Sequence, residues 1–287
     1  MATVDQVDRS LAPPSGTRYY RHSVATRICH WINVVCIVVL LGTGLNIFNA
    51  HPALYWGQFG ADADDAKRWL EIGATDDAAG QPQGMVKVGD VSVRTTGLLG
   101  LSTSADGTPQ AIGFPSWATI PSWRDLATGR RWHFFFAWLF ILNGLVYLIA
   151  AAFSGHLLKD IVPKLRELTP SSVWHDLVEH LKLKFPRGED AKRYHPLQKI
   201  AYGGTVCVLL PLMVLTGLSM SPGFNAAAGG LLPQLFGGRA SARSIHFITT
   251  NLVVLFVAVH VLMVLLAGPY NQIRSMITGR FDTGTER

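Results

Sequence analysis

The sequence predicts an all-α membrane protein, a four-transmembrane-helix bundle with a long outer loop between helices 1 and 2. Three observations lead there. Of its 287 residues 49% are hydrophobic and only 15% charged, and mean hydropathy is positive, a balance that suits lipid better than water. The apolar residues are gathered into four runs, Trp31 to Phe48, Trp132 to Phe153, Ile200 to Met220 and Ile245 to Ala267, each close to the roughly 20 residues that cross a bilayer. The runs do not alternate, and a backbone in lipid finds no water to bond with, so helices are expected.

Taken in order, residues 1–28 form a polar N-terminal segment, 29–49 the first span, 50–130 the outer loop and 131–153 the second span. An inner loop at 154–196, the third span at 197–220, a second outer loop at 221–243, the fourth span at 244–267 and a tail at 268–287 follow. Inside the spans only a few polar residues are tolerated, such as Asn33, Asn143, Thr216 and Asn251, while Lys and Arg are kept to the ends. Sixteen of the 25 Lys and Arg lie in or beside the segments that share a side with the termini, against nine on the other side. The positive-inside rule then puts both termini in the cytoplasm. The first apolar run is span-length and preceded by polar sequence, so it reads as a retained signal anchor. A net charge of +6 fits the inner membrane face and calls for no nucleic acid.

The outer loop is rich in Gly, Asp and Thr and holds a short hairpin pattern through Met85–Arg94, with Gly89-Asp90 at the turn. Some eighty residues exceed what a connection needs, so a small ordered cap or docking surface is expected. In the inner loop Val173, Trp174, Leu177, Val178 and Leu181 line one face of a helix over Ser171–Lys184, suited to the inner lipid interface. Cys29, Cys36 and Cys207 make neither a disulfide framework nor a zinc spacing, and no C-x-x-C-H is present for covalent haem. No internal repeat stands out.

The chemistry lies in the histidines. His246 and His260 are fourteen residues apart in the fourth run, so they return to nearly the same helix face about 21 Å apart. Imidazoles inside a span are costly and point to function. With helices alternating in direction, His30 and His260 share the inner depth and His133 and His246 the outer one. Two levels of bis-histidine ligation suit low-spin b haems engaged in electron transfer. Gly44, fourteen beyond His30, and Gly144, eleven beyond His133, fall on the histidine faces and would let a flat macrocycle approach the backbone. Arg27, Arg130, Arg131 and Arg243 flank the histidines and could bind anionic propionates. His22, His51, His175 and His180 lie in polar segments and read as solvated, while His156 is a competing inner ligand. Zinc would need a tetrahedral cluster, and no acidic residue lies in any span to share it.

These segments resemble those of the bacterial cytochrome b561 and Ni-hydrogenase-type cytochrome b family, similar to the membrane subunits of formate dehydrogenases and thiosulfate reductases. The matching stretches are Arg27-Ile-Cys-His30-Trp31, Gly129-Arg-Arg-Trp-His133, His195-Pro-Leu-Gln198-Lys199-Ile-Ala-Tyr202, and Arg243-Ser-Ile-His246 with His260. The resemblance implies a multi-pass protein of the bacterial inner membrane with two haem b, ligated by His30 with His260 and by His133 with His246. It implies electron exchange between the membrane quinone pool and a periplasmic oxidoreductase partner, for which a molybdopterin enzyme is expected, and hence a periplasmic outer loop. It also implies a quinone pocket at His195, Gln198, Lys199 and Tyr202, although His195 stands where many relatives have Asn. Within the outer loop Phe114-Pro-Ser-Trp117 and Ile120-Pro-Ser-Trp123 look like a docking or haem-covering lip.

Two other functions fit the same residues. A stand-alone quinone oxidoreductase acting on a small periplasmic redox substrate would have no use for so large an outer segment. A haem-free transporter with proton-relaying histidines would show no b-type absorption.

Overall fold

The computed structural model describes residues 18–104, 106–155, 169–182 and 196–282. Four helices are long and apolar enough to cross a membrane: α1 (Val24–Phe48), α2 (Leu126–Phe153), the run Pro196–Met220 and α8 (Arg239–Leu266). Rows of large apolar side chains along them are exposed, among them Val34, Val35 and Val38 on α1, Phe135, Trp138 and Leu142 on α2, and Leu255, Val259 and Leu262 on α8. Such continuous apolar surface belongs against lipid, and the chain is a multi-pass membrane protein.

Each helix begins earlier than its apolar run. α2 starts at Leu126, where the Asp125 carboxylate accepts from the Thr128 amide at 3.0 Å as an N-cap. α8 starts at Arg239 because its first turns are polar and pinned: Ser241 Oγ accepts from the Gly57 amide at 2.8 Å, and Ser244 Oγ accepts from Trp69 Nε1 at 2.9 Å while donating to the Tyr55 carbonyl at 2.6 Å. Hydropathy does not register such turns, since their stability comes from tertiary bonds. The third run is α4 (Pro196–Gly204), a widened π turn at Thr205–Leu209, and α5 (Leu210–Met220). Pro211 has no N–H to give to the preceding turn, which accounts for the widening.

The described residues fall into two compact units, one comprising Tyr147–Gly204 and Val257–Arg287 with the chain up to Cys29, the other His30–Val146 and Thr205–Phe256. In the first, strand β1 (Arg18–Tyr20) pairs antiparallel with β8 (Arg280–Asp282). α9 (Pro269–Thr278) lies between a glycine at each end, so the expected tail is an ordered helix and strand. α3 (Pro170–Leu181) covers most of the helix expected over Ser171–Lys184, with Trp174 exposed, and its Asp176 carboxylate accepts from the Leu197 amide at the start of α4 at 2.7 Å.

The second unit corrects the all-α expectation. Between α1 and α2 the chain forms β2 (Ala53–Tyr55), β3 (Arg68–Asp76), β4 (Pro82–Val88) and β5 (Val91–Arg94), an antiparallel sheet in that order, and a hairpin of β6 (Gly100–Thr103) with β7 (Pro109–Ile112). The anticipated hairpin is present: Met85 faces Arg94 and Val88 faces Val91, with Gly89 at φ 56° in the turn. Its partners could not be read locally, since β2 and β3 are joined across a dozen residues and β6 meets β3 and β4 at glycines. A Cβ on Gly100 would lie 2.2 Å from the Gly73 carbonyl oxygen, and φ there is 79°. Leu54, Leu70 and Ile72 form a core with Phe48 of α1, flanked by Phe114 and by Phe247 of α8. Burying each such side chain contributes roughly 1.5–3 kcal/mol. Residues 221–243 also hold structure, α6 (Pro222–Ala227) and α7 (Leu231–Leu235).

Residues 114–123 form a strap over the end of α1. Asn49 donates to the Phe114 carbonyl at 3.0 Å and accepts its amide at 2.7 Å, and Asn46 Nδ2 donates to the Pro121 and Trp123 carbonyls at 2.8 Å each. Ile120 rests on Gly42, where an added Cβ would lie 2.7 Å from its Cγ1. The side chains of Trp117 and Trp123 remain exposed.

Candidate functional site

His133 and His246 stand two turns inside α2 and α8, not at the helix starts. Their rings face each other with centroids 6.5 Å apart and planes at 62°. Two imidazoles sharing one iron at roughly 2 Å each place their ring centres somewhat over 6 Å apart. The spacing therefore matches a bis-histidine pair.

Each ring is held from a neighbouring helix by a threonine. Thr43 Oγ1 of α1 lies 3.0 Å from His133 Nδ1, and Thr216 Oγ1 of α5 lies 2.9 Å from His246 Nδ1. Both hydroxyls spend their proton on the carbonyl four residues back, Val39 at 2.7 Å and Leu212 at 2.6 Å, a common habit of threonine in helices. They are then placed to accept from Nδ1–H, which would leave the Nε2 lone pair of each ring open to a metal.

Beside each threonine is a glycine against the same ring. A Cβ on Gly44 would lie 3.5 Å from His133 Cε1, and one on Gly217 would lie 3.5 Å from His246 Cε1. A Cβ on Gly144 would meet nothing within 4 Å. Gly217, Thr43 and the role of Thr216 escaped the sequence reading, although the signal was present: Thr43-Gly44-Leu45 recurs as Thr216-Gly217-Leu218. Further along α1 and α2, Asn143 Nδ2 donates to Asn33 Oδ1 at 2.7 Å, as polar groups in lipid require.

The arginines have protein partners. Arg243 donates to the His51 carbonyl and lies 5.4 Å over the Phe48 ring. Arg131 contacts Thr128 Oγ1 at 3.1 Å, and Arg130 lies 5.7 Å over Phe134. Arg27 donates to the Ile277 carbonyl, while its buried Nε meets no acceptor among the described residues. A guanidinium has five donors, so none of these contacts precludes a carboxylate.

At the other ends of the helices, His30 lies edge-on to Trp31 with centroids 5.3 Å apart, and His260 lies edge-on to Tyr202 at 6.1 Å. Lys199 is buried and Gln198 half-buried on α4. His195 and His156 lie outside the described residues. Of the histidines read as solvated, His175 and His51 are exposed, and His51 also stacks on Tyr55 at 5.7 Å with its Nε2 3.2 Å from the Gly60 carbonyl. Partial burial and then the positive Arg243 hold its imidazole below the usual histidine range. Cys29, Cys36 and Cys207 are free thiols.

Residues 21–279 match the family model of prokaryotic cytochrome b561. The chain is similar to the putative protein-methionine-sulfoxide reductase subunit YedZ1 of Azospira oryzae, with 35% identity over 248 residues that cover 86% of this chain and 91% of the relative. No solved structure matches it.

Proposed function

The chain belongs to the prokaryotic cytochrome b561 family, and from that membership we propose that it carries two b haems and passes electrons between the membrane quinone pool and a periplasmic reductase. Membership makes it a haem b cytochrome of membrane electron transport; the number of haems, the quinone and the partner are the proposal. The observation that carries it is the His133–His246 pair, at metal-sharing distance with both Nδ1 atoms already engaged.

His133 and His246 would hold the outer haem, with Gly44 and Gly217 giving the macrocycle room and Arg131 and Arg243 near its propionates. Haem, once bound, supplies one-electron chemistry at a potential the protein tunes. The inner haem is assigned to His30 and His260 from their matched depth in the sequence, and His260 follows His246 by fourteen residues on one continuous helix. The buried Nε of Arg27, three residues before His30, supports an anion at that level. Gln198, Lys199 and Tyr202, with His195, would bind a quinone carbonyl and conduct its protons at the cytoplasmic face.

The relative's name points to the partner's chemistry. A protein methionine sulfoxide takes up two electrons and two protons to give methionine and water, so electrons would run from quinol outward to a reductase docked on residues 50–130. This narrows the expected molybdopterin enzyme to one acting on oxidised methionine.

A pyridine haemochromogen assay of the purified protein tests the reading. Two non-covalent b haems per chain, reducible by an added quinol, are expected. A single haem, or no b-type absorption, overturns it.

A further inference from the structure

We infer that Thr43 and Thr216 are positioning residues of the outer haem, a matched pair of hydroxyl acceptors that fix the tautomer and tilt of both axial imidazoles. The inference rests on the assignment of His133 and His246 to one haem and deepens it by naming what sets that haem's properties.

Four observations converge. Both threonines are fully buried, at 0% exposure, inside spans where an unsatisfied hydroxyl is costly. Both lie about 3 Å from the Nδ1 of a proposed ligand and not from Nε2. Both hydroxyl protons are committed to a helix carbonyl, which fixes the direction of the second bond. And both precede a glycine on which an added Cβ would lie 3.5 Å from the same imidazole, so that each Thr-Gly step presents an acceptor and a bare surface to one ring.

The arrangement repeats across the site. The step on α1 serves the ligand on α2, and the step on α5 serves the ligand on α8. Two histidines on different helices thus receive the same kind of neutral acceptor. A hydroxyl that has given its own proton away is a better acceptor than a free one, because bonds in a chain polarise one another. It is still weaker than the carboxylate that often holds a metal-ligating histidine. Accepting from Nδ1–H makes the imidazole a stronger donor and favours the ferric state. Loss of the bond should therefore raise the potential.

The test uses the full-length, haem-loaded protein in detergent or nanodiscs. His133→Ala and His246→Ala first identify which absorbance and which step of the redox titration belong to the outer haem. Thr43→Val and Thr216→Val keep the side-chain shape and remove the hydroxyl acceptor, leaving the Leu40 and Met213 carbonyls that also reach the two rings. Each is expected to raise the midpoint of the outer step while leaving the inner step in place, and to weaken outer haem retention roughly tenfold or more, the usual range for lost partners of metal ligands. Thr43→Ser and Thr216→Ser should restore both properties, which a purely steric role would not.

Valine variants with an unchanged outer midpoint and unchanged haem retention overturn the inference while leaving the haem assignment intact. Histidine variants that keep both haems overturn the assignment itself. Should a valine variant fail to accumulate, NMR of the reduced, diamagnetic wild type labelled with ¹⁵N-histidine decides: two Nδ1–H signals protected from solvent exchange at the outer level support the inference, and their absence overturns it.

Discussion

The two histidines of α8 are the same residue on the same helix, and each meets a different side chain. His246 is met at Nδ1 by a buried hydroxyl and faces a second imidazole 6.5 Å away. His260 has the ring of Tyr202 edge-on at 6.1 Å. A hydrogen-bond acceptor fixes which nitrogen carries the proton, whereas an aromatic edge restrains only the plane of the ring. The Thr216 hydroxyl is placed to fix the tautomer of His246. His260 meets an aromatic residue of α4, the helix that also carries Gln198 and Lys199. Under the proposed function the two ends would divide the labour, the His133–His246 pair serving the partner and the end carrying Tyr202 serving quinone.

The largest effect that could break this comparison is ligand removal. His246→Ala should reduce the protein from two haems per chain to one and abolish chiefly the outer spectrum, while His260→Ala should remove the inner one. Difference spectra of the two variants check this. Identical residual spectra would mean that the two levels are not separate sites.

The next effect concerns what faces the rigid level. Trp117 and Trp123 are exposed on a strap that Asn46 and Asn49 bolt to α1. Large exposed aromatics on a fixed backbone are common anchors for a partner protein. Replacing both by alanine should weaken reductase binding by about 2 kcal/mol, or roughly thirtyfold in Kd, with both haems retained. Equal co-purification of the partner with wild type and variant would move the landing surface elsewhere on residues 50–130.

How much of this was legible in the sequence follows from where each signal resides. The spans were legible because lipid demands about 20 apolar residues in a row, and a histidine in such a run is conspicuous. The Val88–Val91 turn was legible because Gly89-Asp90 sits between alternating residues. The first two turns of α2 and α8 were not, since their polar residues earn their helical state from an Asp125 cap and from serines bonded to Gly57 and Tyr55. The sheet was hidden for a related reason: its strands pair with their neighbours in sequence, but the core that holds them is closed by Phe48, Phe114 and Phe247, which come from elsewhere in the chain. At the site, the histidines announced themselves but the threonines did not. Thr43 acts on a residue ninety positions away, and only the repeated Thr-Gly-Leu hinted at it.

A smaller effect sharpens the other side of the comparison. If the end carrying Tyr202 receives quinone, Gln198→Ala should slow haem reduction by added quinol at least roughly tenfold, about 1.4 kcal/mol in the barrier, with both haems bound. His195→Ala should do the same. Stopped-flow traces at wild-type rate in both variants would place the quinone at the outer level and dissolve the proposed division.

The smallest effect is a pH dependence confined to the outer end. His51 lies just beyond α1, its ring on Tyr55 and its carbonyl accepting from Arg243, three residues before His246. Partial burial first, and the positive Arg243 second, lower its imidazole pKa in the folded protein. The folded state then binds fewer protons than the unfolded one near neutrality, so stability rises with pH across this window. The contribution is complete above the unfolded value of about 6.5 and is lost progressively as pH falls below it toward the depressed folded value. Amide hydrogen exchange should therefore quicken in residues 51–60 between about pH 7.5 and about pH 5.5, after correction for intrinsic rates, while the α9 amides keep their protection. His51→Gln should abolish the difference. Uniform protection of the 51–60 segment across that range would show that Arg243 and His51 do not couple, and that the outer site is insulated from pH by its sheet.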